Sequence, residues 1–203
     1  MVAIINYGIG NLGSIENMLK KIGEDSIITN DIKLIAEADR YILPGVGSFD
    51  AGMHNLINSG LIDELDKQVR TYRKPILGIC LGMQLLGRRS DEGMMNGLGW
   101  IPFETVKFEN NTDLPIPHMG WDYVSICDIN DPLVANLCTE KQRYYFVHSY
   151  HAICDKNEYS LMTCTYGYDF SAAVHFENIY GVQFHPEKSH KYGANLLKNF
   201  LEV

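Results

Sequence analysis

The chain has 203 residues, 46% hydrophobic and 21% charged, which suits one soluble domain able to bury a full core. A formal net charge of -8 excludes nucleic acid or an anionic membrane as the main partner, because neutralising phosphates takes clustered Lys and Arg. The five cysteines (Cys80, Cys127, Cys138, Cys154, Cys164) form no CxxC pair and no metal-type spacing, and their odd number fits reduced thiols better than a disulfide framework. The opening Met1-Val2-Ala3-Ile4-Ile5-Asn6-Tyr7 lacks the pattern of a secretory leader, and no apolar run is long enough to span a bilayer, so a cytoplasmic protein is expected.

The first half alternates β-rich runs with helical ones. Val2 to Asn6 reads as a buried strand, and Ser14 to Ile22 has helical apolar spacing, with Ser14 as its expected cap and Gly23 as its stop. Ser26 to Thr29 and Arg40 to Leu43 are the next strands, the latter ended by Pro44-Gly45. Two helices fit between Phe49 and Tyr72, and Pro75 to Ile79 is a fourth strand running into Cys80. Such alternation predicts right-handed βαβ units around a mostly parallel central sheet with helices on both faces. From Leu98 to Asn178 the pattern changes to short strands and turn signals, among them Glu109-Asn110-Asn111 and Asn130-Asp131-Pro132. Ala172 to Phe176 and Ile179 to Phe184 read as a hairpin joined by Glu177-Asn178, and Tyr192 to Leu201 as a closing helix. Without repeat, linker or low-complexity segment, residues 1–203 are expected to form a single α/β domain.

Three separated stretches carry chemistry. Gly78-Ile79-Cys80-Leu81-Gly82 has the G-x-nucleophile-x-G form of a nucleophile elbow, in which a tight strand-to-helix turn lifts the nucleophile above the sheet edge. A helix starting at Leu81 aims backbone N–H groups at the same place, where anionic sulfur and oxygen are favoured. His185-Pro186-Glu187 supplies a base able to take and return a proton at neutral pH, with a carboxylate two residues on to orient it. Pro44-Gly45-Val46-Gly47-Ser48-Phe49 follows the third strand, at the sheet end where α/β proteins place ligands. Its glycines free the backbone around Val46 and Gly47 to turn an N–H toward a substrate oxygen, and with the N–H of Leu81 this would make an oxyanion hole. Each stretch alone has an ordinary explanation: a buried cysteine between packing glycines, a surface His-x-Glu, a plain turn. Their joint occurrence at strand ends of one sheet is what points to thiol catalysis.

Together with Met83-Gln84 and Phe184, these stretches resemble the triad-type glutamine amidotransferases. More narrowly, Asn6-Tyr7-Gly8, Gly10-Asn11-Leu12, Pro117-His118-Met119-Gly120-Trp121 and Tyr145-Phe146-Val147-His148-Ser149-Tyr150 resemble the glutaminase subunits of imidazole glycerol phosphate synthases, over nearly the whole chain. The resemblance implies that Cys80 attacks the glutamine carboxamide to give a γ-glutamyl thioester. His185 then protonates the departing ammonia and activates water, while Glu187 holds its ring. It further implies that Gln84, Glu92, Ser149 and Tyr150 hold the substrate, with Glu92 facing its α-ammonium group. The implied partner is a (β/α)8-barrel cyclase subunit, to which ammonia is channelled for making imidazole glycerol phosphate and AICAR in histidine biosynthesis. Asn11, Trp121, Tyr145 and Lys188 match family positions at that interface, and the free subunit is implied to be nearly inactive. This chain departs from the family in carrying Asp122 where Asn is frequent, and in Met94-Met95-Asn96-Gly97 after Glu92.

The same chemistry could instead feed a surface-polysaccharide sugar enzyme. A stand-alone cysteine hydrolase would turn over without a partner, and a binding module would keep the fold with a dead site; intact Cys80, His185 and Glu187 argue against the latter. No metal or cofactor is expected: the histidines show no HExxH, and His148 with His151 spans a strand end where facing is poor. Gly8-Ile9-Gly10-Asn11-Leu12-Gly13 superficially resembles a phosphate loop, but the family resemblance makes it an interface element.

Overall fold

A computed structural model describes residues 1–109, 114–137 and 141–203. Asn110, Asn111 and Cys138, singled out above, lie outside the described residues. The first half gives β1 (Val2–Ile5), α1 (Leu12–Lys21), β2 (Ser26–Thr29), α2 (Ile32–Glu37), β3 (Arg40–Gly45), α3 (Phe49–Asn58), α4 (Ile62–Asp66, prolonged by a π turn over Lys67–Thr71), β4 (Ile76–Cys80) and α5 (Leu81–Leu86). The second half gives β5 (Phe103–Lys107), β6 (His118–Ile126), β7 (Gln142–His148), β8 (Tyr150–Cys154), β9 (Ser160–Tyr166), β10 (Tyr168–Phe176), β11 (Ile179–Val182) and α6 (His190–Glu202).

The strands make one mixed sheet in the order β2-β1-β3-β4-β11-β10-β9-β6-β7, with β8 branching from β10 and carrying β5. Its centre, β2-β1-β3-β4-β11, is parallel throughout. Beyond β11, the strand-rich second half pairs antiparallel. Alternation along β1 explains the two layers: Val2 and Ile4 face one side, Ala3 and Ile5 the other, and all four are fully buried. The first side packs under α1 and α6 through Ile15, Leu19, Leu196, Leu197 and Phe200. The second packs under α2 to α5 through Ile35, Phe49, Met53, Leu56, Leu65 and Leu85. Hydrophobic runs buried on both faces are what parallel strands require. No helix among the described residues is long and apolar enough to cross a membrane.

Element positions follow the sequence reading with instructive shifts. Helix α1 starts at Leu12 and is capped in position by Asn11, not Ser14. Gly10 turns the chain at φ +118, and Leu12 already packs on the core, so the helix begins before the serine. Gly23 at φ +87 does end it, donating its N–H to Lys20 O. Helix α2 has no counterpart in the sequence reading; its six residues are too few to show a period, although Asp31 Oδ1 caps it from Lys33 N at 2.7 Å. Helix α6 begins at His190, earlier than expected, because the turn at Pro186–Lys188 feeds straight into it. The β10–β11 hairpin turns at Glu177 and Asn178 as expected, with Phe176 opposite Ile179.

Phe200 is fully buried, in the layer formed by α1 and α6. Phe200→Ala is expected to lower unfolding free energy by about 3–5 kcal/mol, through lost burial and the cavity left behind, which denaturant titration would measure.

Candidate active site

Strand β4 runs directly into α5 through Cys80, whose backbone is held at φ +54, ψ -112. Non-glycine residues adopt this conformation only when their surroundings impose it. The flanking glycines show how. A Cβ on Gly78 would lie 2.7 Å from the backbone N of Met83, and one on Gly82 would overlap the carbonyl of Leu43. Helix α5 therefore lies directly on β3 and β4. In the parallel register Gly45 stands opposite Cys80, which brings the end of β3 beside the thiol.

Cys80 opens into a cavity of about 310 Å³ lined by Val46, Gly47, Cys80, Leu81, Gln84, Glu92, Pro117, Val147, His148, Ser149, Tyr150 and His185. Every candidate catalytic, oxyanion and substrate residue named from sequence is in this lining except Glu187, which sits behind His185. The candidate interface residues lie elsewhere, on the outer surface.

His185 and Glu187 follow β11 on a short extended stretch that enters the Pro186–Lys188 turn. His185 Nδ1 lies 2.8 Å from Glu187 Oε1, with side chains 2% and 1% exposed. Nε2 is buried, with no ordinary hydrogen-bond geometry to any described residue. Burial disfavours the imidazolium, but the Cys80 sulfur beside the ring, then Glu187, more than offset this and raise its pKa from 6.5 to about 9. The ring thus holds a proton at neutral pH, next to sulfur, with a carboxylate fixing its orientation. Its backbone is pinned as well. His185 N donates to Tyr145 O at 2.9 Å, and the buried Ser189 hydroxyl donates to His185 O at 2.7 Å while accepting from Tyr145 N.

Gln183 is a cavity-side residue that sequence reading missed. Fully buried, it donates from Nε2 toward Cys80 Sγ at 3.7 Å and accepts from Gln84 Nε2 at 3.0 Å. Gln84 also reaches Tyr150 O at 3.3 Å. Within a strand-like run Gln183 carries no local signal; only its buried polarity marks it. From sequence His148 makes only a poor metal pair with His151. It lines the cavity and contacts Tyr150 O through Nδ1 at 2.8 Å, whereas His151 points to the Tyr168 hydroxyl at 2.9 Å. Burial, above all, drives His148 down to about 3, so its ring is neutral.

The Pro44–Gly47 loop is braced from below and open above. The Tyr7 hydroxyl donates to Pro44 O at 2.5 Å, and a Cβ on Gly10 would touch Pro44 at 3.0 Å. Gly47 stands at φ +101 with open space around it, and Val46 is 43% exposed. Glu92 is no free surface charge. Its Oε2 accepts from Phe49 N at 2.7 Å, doing for α3 what Ser48 does not. In return the Asp50 carboxylate accepts from Met94 N and Met95 N, which lowers its pKa. This clasp gives the unusual Met94-Met95 stretch a structural place.

On the outer surface Trp121 stands opposite Tyr145 across β6 and β7, with ring centroids 6.4 Å apart. Lys188 Nζ lies 5.6 Å from the Tyr145 ring. Asn11 is exposed at the start of α1, which packs against the Pro186–Lys188 turn. Met119, Trp121 and Tyr123, alternate residues of β6, are 60%, 40% and 55% exposed, an apolar ribbon of the kind that marks interaction surfaces.

A thiol at a strained strand–helix turn, a paired histidine and carboxylate, and a glycine loop at the next strand end define a class. The chain belongs to the class-I glutamine amidotransferase family, whose profile matches residues 3–203, and its reaction is glutamine hydrolysis. Within that class it is 56% identical to imidazole glycerol phosphate synthase subunit HisH 2 of Methanococcus maripaludis over 100% of this chain and 99% of that protein. It is 48% identical to the HisH 2 subunit of Pseudomonas aeruginosa, with 100% of both chains covered. Among solved structures, a glutamine amidotransferase shares the fold at TM-score 0.75 and 17% identity, covering 100% of this chain and 98% of that one. PurLQS from Thermotoga maritima does so at 0.72 and 17%, covering 99% and 97%.

A raised histidine pKa has a definite consequence for stability. With a folded value of about 9 against an ordinary 6.5, the contribution of His185 is complete below pH 6.5 and is lost as pH rises through 9. Glu187→Gln should therefore lower the melting temperature more at pH 6 than at pH 10. An equal loss at both pH values would place the role of Glu187 elsewhere.

Proposed function

We propose that this chain is the ammonia-supplying subunit of an imidazole glycerol phosphate synthase, with Cys80, His185 and Glu187 as its catalytic residues. The observation that carries the catalytic assignment is the placement of Cys80 and His185 on one glutamine-sized cavity, with Glu187 locking the ring from behind.

The Cys80 thiolate attacks the glutamine Cδ, and the carbonyl electrons move onto oxygen. Backbone N–H groups of Val46, Gly47 and Leu81 receive that oxygen. His185 delivers its proton to the amide nitrogen, the C–N bond breaks, and ammonia leaves behind a γ-glutamyl thioester. His185 then takes a proton from water, which attacks the thioester, and the thiolate departs with the proton back on the ring. Gln84, Ser149 and Tyr150 hold the substrate from the strand side, and Glu92 faces its α-ammonium. Gln183, hydrogen-bonded to both Gln84 and Cys80, keeps the sulfur aimed into the cavity.

Free ammonia is mostly protonated at neutral pH and would be wasted, so a partner must receive it directly. We assign that partner as a (β/α)8 cyclase docking over Asn11, Trp121, Tyr145 and Lys188. Trp121 and Tyr145 offer apolar area with polar tips, as interfaces favour. Two backbone routes join this surface to the site: Tyr145 holds the His185 backbone, and the Gly10 loop packs on Pro44. The unpacked Val46–Gly47 peptide is the element that rotates when the partner binds its ligand. Relatives 40–56% identical carry the synthase name, which favours the histidine pathway over surface-sugar modification.

Cys80→Ala is expected to abolish glutamine hydrolysis while leaving the melting temperature and cyclase binding intact; residual turnover in that variant would refute the thioester route. Hydrolysis by the purified chain should rise strongly when the organism's cyclase and its ribonucleotide ligand are added, and Lys188→Ala should weaken that stimulation more than folding. A lowered melting temperature with unchanged stimulation would make Lys188 a structural residue.

A further inference from the structure

Beside the glutamine cavity lies a second cluster of ligand-type side chains that catalysis does not use. Nε2 or Nδ1 of His118, a carboxylate oxygen of Asp122 and Sγ of Cys164 lie within 4.8 Å of one another. His118 and Asp122 are four apart on β6, a span of about 13 Å along a strand, so their side chains meet only by leaning across the residue between them. That residue is Gly120, at φ +139 with open space where a Cβ would stand. Cys164 arrives from β9, opposite Val124. The His118 ring is held by stacking against Phe146 at 4.7 Å and Tyr166 at 4.0 Å.

The hydrogen bonds around His118 orient its ring. Tyr150 O can only accept, so His148 Nδ1, 2.8 Å away, is the donor. The other His148 nitrogen, Nε2, lies 3.1 Å from His118 Nδ1. That contact turns His118 Nε2 toward Asp122 Oδ2, 3.4 Å away, with the Cys164 sulfur within the same cluster. An outer hydrogen bond that fixes the tautomer and aims the free nitrogen is the usual support of a metal-bound histidine.

We propose that His118, Asp122 and Cys164 bind one thiophilic divalent cation of the Zn2+ type. Three ligands of N, O and S chemistry suit such an ion, and Asp122, with its side chain 34% exposed, leaves the fourth position to water. Binding forms three coordinate bonds and releases the Cys164 thiol proton to solvent, with no change of oxidation state. The ion then sits two hydrogen bonds from Tyr150, through His148, on the rim of the glutamine cavity.

The test is titration of the full-length Cys80→Ala chain, which removes the competing active-site thiol, with Zn2+ against a chromophoric chelator and with Co2+ by absorption. One equivalent should bind, and Co2+ should give a sulfur-to-metal charge-transfer band. Cys164→Ser in the same background should lose the band, and His148→Gln should weaken Zn2+ binding by about 10–100-fold. If Cys164→Ser does not fold, Asp122→Asn, at a half-exposed position, serves in its place and should likewise weaken Zn2+ binding. Absence of stoichiometric uptake would overturn the proposal, leaving a plain His118–Asp122 contact. So would uptake equally tight in the variants, which would place the metal on other thiols.

Discussion

The backbone of Gly82 lies so close to the carbonyl of Leu43 that no side chain fits between them, and the rest of the site depends on that contact. It presses α5 onto β3, forces Cys80 into a positive φ, and sets the thiol beside the end of the neighbouring strand. Gly45 repeats the constraint from the other side, since a Cβ there would lie 2.7 Å from Gly82 N and 2.8 Å from the Tyr7 hydroxyl. The strain at Cys80 is tolerated because β4 is paired on both sides, by β3 and β11, and every residue of it is buried. A rigid parallel centre thus holds one high-energy turn, and the chemistry is mounted on it.

Around this fixed point the other groups are held by short links. His185 follows β11, the other neighbour of β4, so Cys80 and His185 come from adjacent strands. Tyr145 and Ser189 hold the backbone of His185, while Glu187 holds its ring. The side facing the α3 end is closed by the reciprocal bonds of Glu92 with Phe49 and of Asp50 with Met94 and Met95. The Val46–Gly47 peptide, by contrast, stands in open space, with Val46 exposed.

Much of this was legible in the sequence because the stretches that line the cavity are local. Gly-x-Cys-x-Gly, His-Pro-Glu and Pro-Gly-Val-Gly each need a particular backbone within a few residues, and composition shows it. The parallel half was legible for the same reason, through alternation of apolar strands and periodic helices. What escaped depends on tertiary contact. Gln183 reads as one more strand residue until the fold buries its amide against Cys80 and Gln84. The cap of α1 moved from Ser14 to Asn11 because Gly10 and Leu12 fix the start from outside the helix. The bond of Glu92 to Phe49 N escaped because its partner is far away in sequence. Cysteine and histidine spacing gave no metal signal, since His118 and Cys164 are brought together only by the pairing of β6 with β9.

The account stands on Cys80 being a nucleophile presented to glutamine in one shared cavity. Its most direct test is labelling of the native chain with a glutamine-like alkylating agent, followed by peptide mass spectrometry, with and without glutamine. One adduct per chain, on the peptide containing Cys80 and suppressed by glutamine, is the predicted result. Labelling that falls instead on Cys127 or Cys154, or that glutamine does not suppress, would contradict it.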